Sequence, residues 1–255
     1  MNLHLPTAGL DRYKSASQRA RVITEPWGLA NLYCPACDSP RIESLPTNTP
    51  AHDFKCPSCK GWFQLKSKSS NFGRRVQDGA FGSMKQAISQ GRTPSLFLLR
   101  YSRPDLLVED LLLIPHFAFT ASILEERKPL SPNAKRAGWV GCNFLLDRVP
   151  PDAQICVIQN GNVEAPDRVR NNYARLRPLE SLNIEKRGWT LDVLNAVRSF
   201  GKNEFSLPDV YAHTDSLAKL HPKNAHVRDK IRQQLQVLRD LGLLEFLGGG
   251  SYHLL

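Results

Sequence analysis

Nowhere in its 255 residues does the chain keep an unbroken apolar run as long as the roughly 18 to 20 residues a bilayer-crossing helix requires. No membrane-spanning helix is expected. The first residues, Met1 to Pro6, lack a basic segment followed by an apolar one, so no secretory signal is expected and the cytoplasm is the expected compartment. Acid is also scarce: 24 Asp and Glu face 34 Lys and Arg, giving a net charge of +10 and a pI near 9.5. That balance points to an anionic partner, nucleic acid before a membrane surface. Apolar residues, at 41%, are not scarce, and the length suits one large domain or a large and a small one.

Cysteine is present in a pattern that argues against disulfides. Four of the six cysteines form two Cys-x2-Cys pairs, Cys34 with Cys37 and Cys56 with Cys59, separated by eighteen residues. In a reducing compartment this spacing reads as a zinc ribbon. Four thiolates close a tetrahedron around Zn2+ and leave no open position for water, so the zinc is expected to be structural. Cys142 and Cys156 are expected to be buried structural thiols.

The second pair lies inside the stretch Asp53 to Lys66. Trp62-Phe63-Gln64-Leu65-Lys66 alternates as a half-buried strand does, placing Gln64 and Lys66 on one face and Phe63 and Leu65 on the other. If the strand holding Asp53 pairs with it, an acid, an amide and an amine converge. An Asp, a second oxygen ligand and x-Lys make the pattern of the PD-(D/E)xK nucleases, except that the second acid is Gln64. The neutral Gln64 carbonyl is still a competent ligand for a hard cation such as Mg2+, at one negative charge fewer. The Mrr-like branch of that superfamily is similar in carrying Gln there.

Around this stretch, residues 9 to 25 read as an amphipathic helix ending before Pro26, with Lys14, Gln18, Arg19 and Arg21 on its polar face. Glu25 either approaches a metal or, as is usual for a lone acid before a proline, is solvated. Residues 38 to 52, with Pro40, Pro46, Thr47, Asn48, Thr49 and Pro50, read as a loop. Lys68, Arg74 and Arg75 form a basic segment after Lys66, either a phosphate clamp or a solvated loop, and residues 74 to 90 suggest a helix weakened by Gly79 and Gly82.

The runs Leu96–Leu99, Leu111–Ile114 and Ile155–Ile158 suit buried strands covered on both faces, which makes the large domain α/β. Arg136 and Trp139 lie in a segment bracketed by Gly138 and Gly141; Trp139 either fills the core or presents a flat face on which a base packs. Arg168, Arg170, Arg175 and Arg177, broken by Pro166 and Pro178, suggest a connector.

From Trp189 onward three helical stretches precede Leu243–Leu247, three glycines and Ser251–Leu255, the outline of a winged helix. Its third helix carries Arg228, Lys230, Arg232, Gln233 and Gln236 off the apolar stripe, side chains able to read guanine and adenine edges. From Asn183 there are ten Lys or Arg against eight Asp or Glu, and the remaining 24 against 16 fall earlier. The larger domain therefore supplies most of the phosphate attraction, and a winged helix so nearly neutral is also compatible with a protein-interaction module.

Tyr13-Lys14-Ser15, Arg21-Val22, both cysteine pairs, Leu65-Lys66-Ser67-Lys68, Arg136-Ala137-Gly138-Trp139, Arg187-Gly188-Trp189-Thr190 and Lys230 to Gln236 together resemble the DpnI-type endonucleases, also called the Dam-replacing family. The resemblance implies a PD-(D/E)xK nuclease domain with an inserted zinc ribbon over residues 1–182, and a C-terminal winged-helix domain over 183–255. It implies a type II restriction endonuclease that cuts double-stranded DNA at GATC methylated on adenine, using catalytic Mg2+ and structural Zn2+. By position, Asp53 would bind the metal, Lys66 would be the catalytic lysine, the four cysteines would hold zinc, and Trp139 would form a wall of the methyladenine pocket. With Gln64 completing the magnesium site, the expected DNA contacts are Lys68, Arg74, Arg75, Arg136, Trp139, Arg228, Arg232 and Gln233, in a monomer. Two other readings stay open: a zinc-ribbon and winged-helix regulator whose nuclease centre is dead, and a repair nuclease for branched or mismatched DNA.

Overall fold

The computed structural model describes residues 1–46 and 52–255. Thr47 to Pro50 of the expected loop lie outside the described residues. The chain opens with helix α1, Ala16–Asn31, which starts later than the sequence suggests and runs through Pro26. The proline removes one backbone donor. Continuing the helix buries Trp27, 2% exposed, and brings Gly28 against the Phe54 and Leu65 side chains, where an added Cβ would lie 3.1 and 3.4 Å from their atoms. Burying an aromatic of that size offsets one lost bond.

Strands β1 (Glu43–Ser44), β2 (Phe54–Lys55) and β3 (Trp62–Lys68) follow. β2 and β3 form the expected hairpin, pairing Phe54 with Phe63 and Lys55 with Trp62. Residues 74 to 90, expected as one helix, divide into strand β4, Arg75–Ala80, and helix α2, Phe81–Ser89. Only Val76 of β4 is buried, and the strand exists because it pairs with a partner over sixty residues away, which no local pattern reveals.

The three apolar runs are strands β5 (Ser95–Tyr101), β6 (Val108–Ile114) and, after β7 (Leu124–Glu126) and β8 (Gly141–Leu145), β9 (Ile155–Gln159). With β10 (Asn162–Val163) they complete a seven-stranded sheet ordered β1-β2-β3-β5-β6-β9-β10. The β3–β5 pair is parallel and the others antiparallel. A parallel pair needs a crossover, and here it runs through β4 and α2. β4 itself joins a second sheet, β4-β8-β7.

The expected connector is instead helix α3, Pro166–Leu176, with Pro166 in its first turn, where a missing N–H costs nothing, and Val169, Tyr173 and Leu176 buried. Helix α4 (Ile184–Arg198) then leads into β11 (Glu204–Ser206), α5 (Leu207–Tyr211), α6 (Thr214–Leu220), α7 (Val227–Asp240), β12 (Leu244–Gly248) and β13 (Ser251–Leu254). The expected second helix is thus two short ones, the first opened by a capping box between Ser206 and Asp209. Gly248, Gly249 and Gly250 all take positive φ at the hairpin turn, a conformation that favours glycine.

This helical unit docks on the sheets through polar contacts. Asp192 of α4 accepts from Ser122 Oγ at 2.7 Å and pairs with His221 Nε2 at 2.8 Å, while Trp189 stacks on the His221 ring. Arg198 grips Asp152 with two hydrogen bonds of 2.7 and 2.5 Å.

Candidate metal and nuclease centre

The four thiols of the two knuckles come together from chain segments held by different elements. Cys34 and Cys37 follow the end of α1; Cys56 and Cys59 occupy the turn between β2 and β3. Cys34 and Cys59 sulfurs are 3.6 Å apart, as are those of Cys37 and Cys56, and all four lie within 4.8 Å of one another. A zinc–thiolate bond of about 2.3 Å sets a tetrahedral sulfur–sulfur edge of about 3.8 Å, so the cluster fits zinc. Burial opposes ionisation of Cys56, but N–H groups of Cys59 and Ser58 pointing at its sulfur, with the neighbouring thiols, outweigh it and bring its pKa down to about 6. Burial pushes Cys34 up instead.

Arg170 of α3 reaches back to the first knuckle and donates to the carbonyls of Cys34 (3.3 Å), Cys37 (3.1 Å) and Ser39 (3.4 Å), with its guanidinium over the Tyr33 ring. The arginine-rich segment therefore includes a clamp on the ribbon. Nothing in its sequence pattern marks that role. Cys142 is fully buried, its pKa pushed up to about 11 by burial, whereas Cys156 is only half-buried; the expectation of burial holds for the first thiol and not fully for the second.

The β2–β3 hairpin brings together the three residues expected to be reactive, Asp53, Gln64 and Lys66. Asp53 precedes β2 and is locked to β3 twice: its N–H donates to the Phe63 carbonyl at 2.9 Å, and its carboxylate accepts from the Leu65 N–H at 2.7 Å. Strand alternation puts Gln64 and Lys66 on one face, and Asp53, Gln64 and Lys66 all line a cleft of about 850 Å³. Its walls come from α1, the hairpin and β4. Burial raises the Asp53 carboxyl above the ordinary aspartate range, against the Leu65 N–H, Arg21 and Lys66, which favour its charge.

Glu25 lines the same cleft with its side chain 33% exposed and paired with Arg21 at 2.6 Å. Its carboxyl too is raised, by burial first, with Arg21 opposing and the Asp53 charge adding to the rise. The sequence offered approach to a metal only as its second reading, because the direction Glu25 faces is set by how α1 packs against the hairpin. Lys66 is itself engaged: its ammonium lies 2.6 Å from Asp78 of β4, a residue no motif had singled out.

Among the expected DNA contacts, Lys68 and Arg75 line the cleft. Lys68 sits over the Phe72 ring, Arg75 is held by Glu125 through two bonds of 2.6 and 2.7 Å, and Arg74 pairs with Asp147 at 3.1 Å. Trp139 is half-buried at the end of a closed loop in which the Leu130 N–H donates to the Trp139 carbonyl and the Gly138 N–H donates to the Leu130 carbonyl, and the Arg136 guanidinium lies 4.6 Å above its ring. A Cβ at Gly141 would stand 2.8 Å from that ring, so the tryptophan takes this position only because residue 141 lacks a side chain. On α7, Arg228, Arg232 and Gln233 are exposed, and both arginines lie over the Tyr211 ring. Gln234, between them and the core, is fully buried and accepts from Thr190 at 2.7 Å.

A mixed α/β unit whose zinc-fitting ribbon clamps a hairpin bearing acid, amide and lysine, followed by a helix-turn-helix unit with an exposed basic helix face, is the architecture expected of a nuclease domain joined to a DNA-binding domain. The model of the Dam-replacing family, DpnI, matches residues 1–182, and that of the Dam-replacing HTH domain matches residues 185–254. The chain belongs to the Dam-replacing family, the DpnI-type methyl-directed restriction endonucleases. Among the described residues no helix is long and apolar enough to cross a membrane.

Proposed function

We propose that the protein is a type II restriction endonuclease that hydrolyses both strands of DNA at GATC sites methylated on adenine, with Mg2+ as the catalytic cation. The observation that carries this reading is the convergence of Asp53, Gln64 and Lys66 in one cleft of a chain matched end to end by the family's two models.

The carboxylates of Asp53 and Glu25 and the amide of Gln64 bring oxygen donors into that cleft. Such a set suits a hard cation, in contrast to the four sulfurs of the ribbon. Asp53 and Gln64 would hold Mg2+, and Glu25 adds the negative charge that Gln64 does not bring. Bound there, the cation would supply Lewis-acid polarisation of the phosphoryl oxygen and a more acidic water. Lys66 stabilises the negative charge that develops on the phosphate, and Lys68 and Arg75 draw the backbone into the cleft.

For the methyl group, the Trp139 ring offers an apolar wall, and each buried methyl carbon contributes about 1 kcal/mol. One such wall discriminates only modestly. The exposed Arg228, Arg232 and Gln233 of α7 offer a second reading surface, and two surfaces multiply the preference. The protein acts as a monomer in this reading.

The test is cleavage of plasmid from adenine-methylating and non-methylating hosts in Mg2+. We expect cutting of the methylated plasmid alone. Equal cutting of both would favour a repair nuclease, and specific binding without cutting would favour a regulator.

Charge in the cation site gives a second expectation. Gln64→Glu should lower the Mg2+ concentration for half-maximal cutting, and Glu25→Gln should raise it, each by several-fold. Titration of Mg2+ against initial rate measures both; a Gln64→Glu enzyme with an unchanged requirement removes Gln64 from the ligand set.

A further inference from the structure

Lys66 does not stand alone in the cleft. Its Nζ lies 2.6 Å from Asp78 Oδ1, with the aspartate side chain 5% exposed and the lysine 20%. The two residues come from different sheets, Lys66 from β3 in the seven-stranded sheet and Asp78 from β4 in the three-stranded one.

Two features of Asp78 set it apart from an ordinary tie between sheets. Its second carboxylate oxygen, Oδ2, is buried and has no hydrogen-bond partner among the described residues. Buried carboxylates that serve stability have their lone pairs satisfied, because an unmet acceptor in a poor solvent is costly. Also, the β4–β8 ladder slips its register between Asp78 and Ala80. A bulge of this kind redirects a side chain and bends the strand, and bulges gather beside active sites. The bulge thus falls directly after the residue that reaches Lys66.

We propose that Asp78 is a positioning residue for phosphodiester cleavage, holding the Lys66 ammonium in the cleft beside Asp53 and Gln64 and fixing where its remaining hydrogens point. An ammonium has three donors; with one committed to Asp78, two are left in set directions for a phosphate oxygen or the attacking water. An untethered lysine would sample many rotamers on its four-carbon stem. Asp78 itself touches neither substrate nor cation. The proposal rests on the nuclease reading given above.

The experiment uses the full chain with Asp78→Asn, which keeps the shape and one oxygen but loses the charge. Single-turnover cleavage of a methylated duplex in Mg2+, affinity for the same duplex in Ca2+ and the melting temperature are measured together. We expect the cleavage rate to fall 10- to 100-fold, the range for losing a partner that orients a reactive group, with affinity within twofold of wild type. An active wild type matched by D78N within twofold, or a rate loss that only follows a loss of affinity, overturns the proposal alone. A wild type with no metal-dependent cutting overturns the nuclease reading and the proposal with it.

Should D78N not fold, the wild-type chain decides by ammonium NMR, with Lys66→Arg used to assign the signal. A Lys66 ammonium with slowed hydrogen exchange supports the tether, and one exchanging as fast as surface lysines overturns it.

Discussion

Replacing Asp53 by alanine should reduce cleavage of methylated DNA by roughly 10²- to 10³-fold or more while leaving DNA binding within a few-fold of wild type. The lower figure is what loss of one preorganised charge-stabilising group costs, and Asp53 in addition supplies the anionic oxygen of the proposed cation site. Binding should survive because the basic side chains that would meet the backbone, Lys68 and Arg75 in the cleft and Arg228 and Arg232 on α7, are untouched. Lys66→Ala should match it in rate but not in stability. Removing the lysine leaves the Asp78 carboxylate, 5% exposed, without the ammonium that pairs with it, and stranding a buried charge costs about 3 kcal/mol. Cleavage assays must therefore be paired with melting curves. Either mutant cutting at the wild-type rate would remove its residue from the reactive set.

The second large effect concerns the ribbon. One zinc per chain is expected, and stripping it should unfold the first 182 residues. Structural zinc binding amounts to about 10–16 kcal/mol, comparable to the roughly 5–15 kcal/mol net stability of an ordinary domain. Zinc content by metal analysis and thermal melting before and after chelation provide the measurement, and Cys59→Ser is the genetic equivalent. Because the knuckle forms the turn between β2 and β3, zinc-free protein returned to excess Mg2+ should stay inactive. A zinc-free chain melting at the same temperature as the native one would show that the four thiols hold no structural metal.

Much of this organisation could be read from the residues. The two cysteine pairs, the alternation of Trp62 to Lys66 and the three apolar runs are local signals, and the cluster, the hairpin and the buried strands follow them. What escaped depends on distant partners. β4 is polar along most of its length and is a strand only because β8 pairs with it; with β4 hidden, Asp78 could not be placed beside Lys66. Pro26 gave a sound local reason to end α1, and the burial of Trp27 overrides it. Arg170 looked like part of a charged linker because its acceptors, the carbonyls of Cys34 and Cys37, lie more than 130 residues back in the chain.

The junction at Asp192 bears on how the two units would meet one duplex. One carboxylate accepts from Ser122 on the sheet side and pairs with His221 on the helical side, and Arg198 of the same helix binds Asp152. Units joined by a slack tether present the second surface to DNA at a concentration set by tether length, with much of it spent in orientations that cannot bind. A locked junction narrows that search to nearly one geometry. A duplex whose spacing suits both surfaces gains the full effective concentration, and one that suits only the first gains none, so selectivity would come from the angle of the joint as much as from any contact.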